Sequence, residues 1–145
     1  MTYEYKNLLV EIQDDGVTTV SVNRPKFLNA LDTPTLEEMK DCFGKLATDP
    51  AVKAVIIRGA GEKAFVAGAD LKAMSTMTAV EGRDFSNLGH EVFDAIEKLP
   101  VVAVVGSRNA SAYGLATARK MGNQIGACGG VVVSGAAKGI DSQAL

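Results

Sequence analysis

A chain of 145 residues, 47% hydrophobic and 22% charged, is sized for one domain with a sizeable core. The formal net charge of -2 excludes a field that would gather nucleic acid over the whole surface, and the longest apolar runs are too short to span a bilayer. The polar, acidic start Met1 to Lys6 shows no signal peptide, and Cys42 and Cys128 lack zinc-ligand spacing or a disulfide-rich context, so reduced, mostly buried thiols in a cytoplasmic setting are expected.

Leu8 to Gln13 and Val17 to Val22 read as strands joined by Asp14-Asp15-Gly16, a hairpin signal because glycine tolerates positive φ. Arg24 to Asp32 reads as a loop. Thr33-Pro34 opens a helix, with proline suited to the first turn and Thr33 as the cap. Leu36, Met39, Phe43 and Leu46 give that helix one apolar face, and Asp49-Pro50 ends it. Val52 to Arg58 is a near-continuous β-branched run, the pattern of a strand covered on both faces. Gly59 to Thr78 reads as a Gly- and Ala-rich loop with one short helical turn. Phe85, Leu88, Val92, Ile96 and Leu99 mark the next amphipathic helix, closed by Pro100.

Val101 to Val105 then reads as a buried-type strand, and Ser111 as the cap of a helix with Leu115, Ala118, Met121 or Gly122, and Ile125 on one face. Val131 to Ser134 is another parallel-type strand, and Gly139 to Leu145 the start of a last helix. The expectation is an α/β fold: one domain over residues 1–145 with a single mixed, mostly parallel five-stranded sheet, an antiparallel hairpin first and α-β units after it. Val131 to Ser134 would leave a sheet edge open to pairing, which predicts a homodimer.

Two motif sets carry chemistry. The first is Asn23-Arg24-Pro25, Asn29-Ala30-Leu31 and Ala64-Phe65-Val66-Ala67-Gly68-Ala69-Asp70. Small residues let a backbone approach a ligand, and a fixed N–H can stabilise developing negative charge. With the hairpin and Val55-Ile56-Ile57-Arg58-Gly59, these motifs make residues 1–100 resemble the enoyl-CoA hydratase/isomerase (crotonase) family. The resemblance implies that Ala67, Gly68, Ala69 and Asp70 form a coenzyme A and oxyanion loop, with the Ala69 amide as one donor. The family's second donor follows a Gly-rich helix entry, where this chain has Gly106-Ser107-Arg108-Asn109, and its acid/base glutamates have no counterpart here. The loop therefore reads as vestigial.

The second set is Val105-Gly106-Ser107-Arg108, Ser111, Tyr113-Gly114 and Ser134-Gly135-Ala136-Ala137-Lys138-Gly139-Ile140-Asp141. A Gly turn between strand and helix presents amides and a positive dipole end to an anion. These motifs make residues 101–145 resemble the Rossmann-like core of the DNA-processing protein A (Smf) family. Gly106, Ser107, Arg108, Ser111 and Lys138 are then the candidate anion-binding residues. Specific nucleic-acid binding is not expected, since Tyr113 is the lone aromatic near them.

The two incomplete sets lead to a reading of an engineered chimera, a recombinant folded scaffold with no catalytic residues, no enzyme activity, no cofactor and no metal. Two alternatives stand beside it: a module with weak affinity for CoA, a nucleotide or phosphate, and a residual crotonase-type acyl-CoA enzyme. His90 reads as a surface histidine, Asp14 and Asp15 as a turn, and Met74 and Met77 as fillers of irregular core space.

Overall fold

The computed structural model describes residues 2–99, 102–104, 112–127 and 132–133. An antiparallel hairpin pairs β1 (Leu8–Ile12) with β2 (Val17–Val22), Leu8 opposite Val22 and Ile12 opposite Thr18. Gly16 makes the turn at φ 90°, and Asp15 accepts from the Val17 N–H at 3.0 Å. A Cβ on Gly16 would meet the Ala51 carbonyl oxygen at 2.7 Å, so close approach as well as positive φ requires glycine there. β2 pairs in parallel with β3 (Ala54–Gly59), Thr18 beside Val55 and Val20 beside Ile57.

Beyond β3 the sheet continues in parallel through two short strands, β4 (Val102–Val104) and β5 (Val132–Val133), in the order β1-β2-β3-β4-β5. The α/β class is as expected. The substantial sheet, however, is the mixed three-stranded β1-β2-β3, and the last two strands are three and two residues long where five and four were expected.

Four helices accompany the sheet among the described residues: α1 (Thr33–Leu46), the single turn α2 (Leu71–Met74), α3 (Ala79–Glu97) and α4 (Ala112–Ala127). Asp32, rather than Thr33, caps α1: its carboxylate accepts from the Thr35 N–H at 3.0 Å and leaves Thr33 and Pro34 inside the first turn. A full capping box starts α3. Thr78 accepts from the Glu81 N–H, and Glu81 accepts in return from the Thr78 N–H at 2.7 Å. β3 begins two residues later than the apolar run suggests, because the Val52 and Lys53 N–H groups are used by Asp49 and Gly16 in a turn.

The helical periodicities translate directly into the core. Leu36, Met39, Phe43 and Leu46 of α1 meet Val92 and Ile96 of α3 over Leu8, Val20, Val22, Val55 and Ile57 of the sheet. Fully burying a side chain of this size stabilises by about 1.5–3 kcal/mol, which makes this cluster the main support of the fold. Ala118 of α4 is buried in the same cluster, and Met121 packs against it. Lys40 and Glu91 pair at 2.7 Å between α1 and α3, but both are half exposed and add little.

Cys42 is buried, and burial pushes its thiol up to about 12, as expected of an inert structural cysteine. His90 is exposed, and so is Met74, which fills no core. β3 is covered on its Val55 and Ile57 face only, since Arg58 is exposed and Ile56 half-buried. No helix among the described residues is long and apolar enough to cross a membrane, and no cluster of metal-ligating side chains occurs among them.

Candidate active site

The site is built where the chain leaves β2 and where it leaves β3. After β2 a 3₁₀ turn (Pro25–Phe27) runs into Leu28 and Asn29, both in the left-handed region at φ 52° and 57°. Asparagine visits that region more readily than most residues, because its short polar side chain can bond locally. Asn29 is 1% exposed and fully engaged. Its oxygen accepts from the Arg24 N–H at 2.9 Å, while Nδ2 donates to the Ala60 and Ala64 carbonyls at 3.0 and 2.9 Å. One buried amide thus fastens the end of β2 to the loop after β3. Gly59, the last residue of β3, lies against this knot: a Cβ there would stand 2.1 Å from the Phe65 carbonyl oxygen and 2.6 Å from Asn29 Nδ2.

The loop then runs alongside residue 31 as a one-residue parallel bridge. Leu31 donates to the Gly68 carbonyl and accepts from the Asp70 N–H, both at 2.8 Å. In a parallel pairing of this kind the residue between the two bonded ones, here Ala69, directs its own N–H and carbonyl away from the neighbouring chain. The Ala69 N–H accordingly donates to no acceptor among the described residues. Gly68, at φ 108°, supplies the bend that permits this.

Asp70 closes the loop by capping α2, accepting from the Ala73 N–H at 3.2 Å. Arg24 ties the whole corner together. Its guanidinium lies 2.7 Å from Asp32 and 3.2 Å from Asp70, also donates to the Ala30 carbonyl, and stacks 4.7 Å from the Phe27 ring centre. The Ala73 N–H, opposed by partial burial and helped by Arg24, holds the Asp70 carboxyl below the usual carboxylate range.

Two hollows flank the loop. On one side lies an apolar cavity of about 220 Å³, walled by Val22, Ile57 and Phe65, by Gly89 and Phe93 of α3 and by Met121 of α4, with Gly68 and Ala69 also in its lining. The other is a cleft of about 440 Å³ lined by Pro25, Lys26, Asn29, Glu62, Lys63 and Ala64. The loop therefore lies between a greasy chamber and a groove that carries two cations.

Ala67, Gly68, Ala69 and Asp70 stand together as the sequence suggests. Gly106, Ser107, Arg108, Ser111 and Lys138 lie outside the described residues. The sequence reading missed the roles of Arg24, Asn29 and Asp32. Its motifs displayed all but Asp32, yet nothing in their spacing shows that they converge.

The enoyl-CoA hydratase/isomerase family model matches residues 12–119. The chain is 48% identical over 104 residues to a short-chain-enoyl-CoA hydratase of Clostridium acetobutylicum, covering 70% of this chain and 40% of that protein. It is 44% identical over 103 residues to a crotonyl-CoA hydratase of Syntrophomonas wolfei, covering 70% and 39%. The structure of an enoyl-CoA hydratase from Bacillus anthracis superposes with a TM-score of 0.66 at 32% identity, over 68% of this chain and 39% of that one. The chain spans about two-fifths of the length of these curated relatives.

Two expectations fall with these findings. The match crosses residues 100–101 unbroken and ends inside α4, which overturns a change of family at that point and the chimeric, engineered origin built on it. The reading of an inert scaffold is overturned as well, because the relatives at 44–48% identity are named hydratases. The chain belongs to the enoyl-CoA hydratase/isomerase family.

Proposed function

We propose that this chain binds an enoyl-CoA thioester and polarises its carbonyl, the part of a hydratase reaction that its residues can perform. Hydration of an α,β-unsaturated thioester adds water at the β carbon and pushes charge onto the thioester oxygen. A preorganised N–H at that oxygen contributes about 3 kcal/mol to such a transition state. The single observation that carries the reading is the Ala69 N–H, held by the Leu31 bridge and without an acceptor among the described residues, on a residue that lines an apolar chamber.

In this reading the acyl chain enters the 220 Å³ cavity and the phosphates and adenosine of CoA take the groove with Lys26 and Lys63. An apolar pocket with a few convergent polar groups is the usual form of a small-molecule site. No carboxylate lines the cavity among the described residues.

The test is calorimetric titration of crotonyl-CoA and of free CoA into the full chain and its Ala69→Pro variant. Proline removes the Ala69 N–H, which has no acceptor among the described residues. The wild-type chain should bind crotonyl-CoA about tenfold more tightly than CoA, the worth of one hydrogen bond plus a small buried chain. Ala69→Pro should erase that preference without lowering the melting temperature. Equal affinities for the two ligands in the wild-type chain would remove the reading.

A further inference from the structure

Arg24 sits at the meeting point of two helix caps. Asp32 caps α1 and Asp70 caps α2, and each already accepts a backbone N–H through one oxygen, Thr35 at 3.0 Å and Ala73 at 3.2 Å. In both cases the other oxygen, Oδ2, faces the same guanidinium nitrogen of Arg24. The second terminal nitrogen of Arg24 donates to the carbonyl of Ala30, the residue before Leu31. The Arg24 side chain is 11% exposed, with Asp32 and Asp70 at 19% and 14%, so the three charges are largely removed from solvent. Both ends of the Leu31–Ala69 bridge are therefore gripped by one rigid fork: Ala30 and Asp32 on one strand, Asp70 on the other.

We propose that Arg24 is a positioning residue that sets the orientation of the Ala69 N–H by locking the caps of α1 and α2 to each other. The inference rests on the acyl-CoA reading for its consequence, though not for its geometry. α2 is a single turn and has no hydrophobic anchor of its own: Leu71 is 77% exposed and none of its residues is buried. Two bonds reach its cap residue from outside the loop, the hydrogen bond from the Asp70 N–H to the Leu31 carbonyl and the ion pair from Arg24 to the Asp70 carboxylate, and the ion pair is the one that a side chain supplies. Arginine suits the task because its planar fork offers several donors in fixed directions. A lysine offers one point charge and cannot grip Asp32, Asp70 and Ala30 in the same way.

Two variants separate this role from bulk stability. Arg24→Lys keeps the charge and loses the fork. Asp70→Asn keeps the cap of α2, since asparagine caps as well as aspartate, and loses only the ion pair. The first measurement needs no ligand: the ¹⁵N relaxation of the Ala69 amide in the full chain. It should report an ordered amide in the wild type and a mobile one in both variants, while amides of β2 and β3 stay unchanged. The second is the red shift of the enoyl thioester absorbance at saturating crotonyl-CoA, which reads polarisation of the carbonyl rather than affinity.

The shift should be present in the wild type, reduced in both variants, and absent in Ala69→Pro. Acyl-CoA affinity should fall by up to about tenfold in the variants, no more than the whole preference over free CoA. An Ala69 amide as ordered in Asp70→Asn and Arg24→Lys as in the wild type overturns the proposal, and so does an undiminished red shift in both. An ordered, Arg24-dependent loop in a wild-type chain that shows no red shift would instead overturn the acyl-CoA reading and leave Arg24 as the loop's lock.

Discussion

The two sides of the 64–71 segment are built by opposite rules. Toward Arg24 and Asn29, polar groups are buried and nearly every one is paired: Asn29 alone holds Arg24, Ala60 and Ala64. The cavity on the other side has mainly aliphatic and aromatic walls, and Ala69, which lines it, has an N–H without an acceptor among the described residues. The lesson is that a free donor must be supported from behind. An unpaired backbone group near the interior is costly, and it stays in place only where surrounding bonds over-determine the chain. The polar side supplies those bonds.

The contrast can be broken most severely at Gly59. Gly59→Ala would drive a methyl group into the Phe65 and Ala64 carbonyls, backbone atoms that cannot swing aside. A loss of about 4 kcal/mol is expected, seen as a large fall in the urea midpoint with an unchanged slope. Asn29→Ala should come next, at about 3 kcal/mol. It strands two partly buried carbonyls and an N–H, and it places a poorer residue in the left-handed conformation. A midpoint within error of wild type for either variant would show that the knot is not what holds the loop.

The apolar side should respond in the other sense. A Cβ on Gly89 meets nothing within 4 Å, and Gly89 lines the cavity from the middle of α3. Gly89→Leu should raise stability by up to about 1 kcal/mol through helix propensity. It should also fill the chamber and abolish the preference for crotonyl-CoA over CoA. Higher stability with ligand preference intact would place the acyl chain elsewhere.

The smallest effect is the pH dependence of the corner. The Asp70 carboxyl is lowered in the folded chain, so its contribution is present above the unfolded carboxylate value and is lost as pH falls through the folded one. Asp41, held down by Lys45 and Tyr5, acts with the same sign on the outer face of α1. Melting temperature should therefore fall on acidification, and Asp70→Asn should flatten part of that slope. An identical slope in the variant would mean that Asp70 is not coupled to folding.

Much of this was legible from residue order. The Asp14-Asp15-Gly16 turn and the apolar faces of α1 and α3 follow from local rules, because period and turn chemistry act over a few residues. The Ala67 to Asp70 loop was recognisable too, as a run of small residues. The start of α1 was misjudged by one position, since Asp32 and Thr33 can both cap and only the fold decides which has the extended backbone. The strand after Pro50 was set too early, because nothing local shows that Gly16 claims the Lys53 N–H.

Residue order alone gives the hairpin, the apolar faces of the helices and a run of small residues at Ala67 to Asp70. Packing places Arg24 between two aspartates 38 residues apart in the chain, Asp32 and Asp70, makes Asn29 the buried knot, and sets Ala69 in the lining of a cavity with residues of α3 and α4. The reason is range: hydrophobic period and capping are set by neighbours in sequence, whereas an ion pair, a cavity or an unused N–H exists only once distant segments have been brought together by the common core.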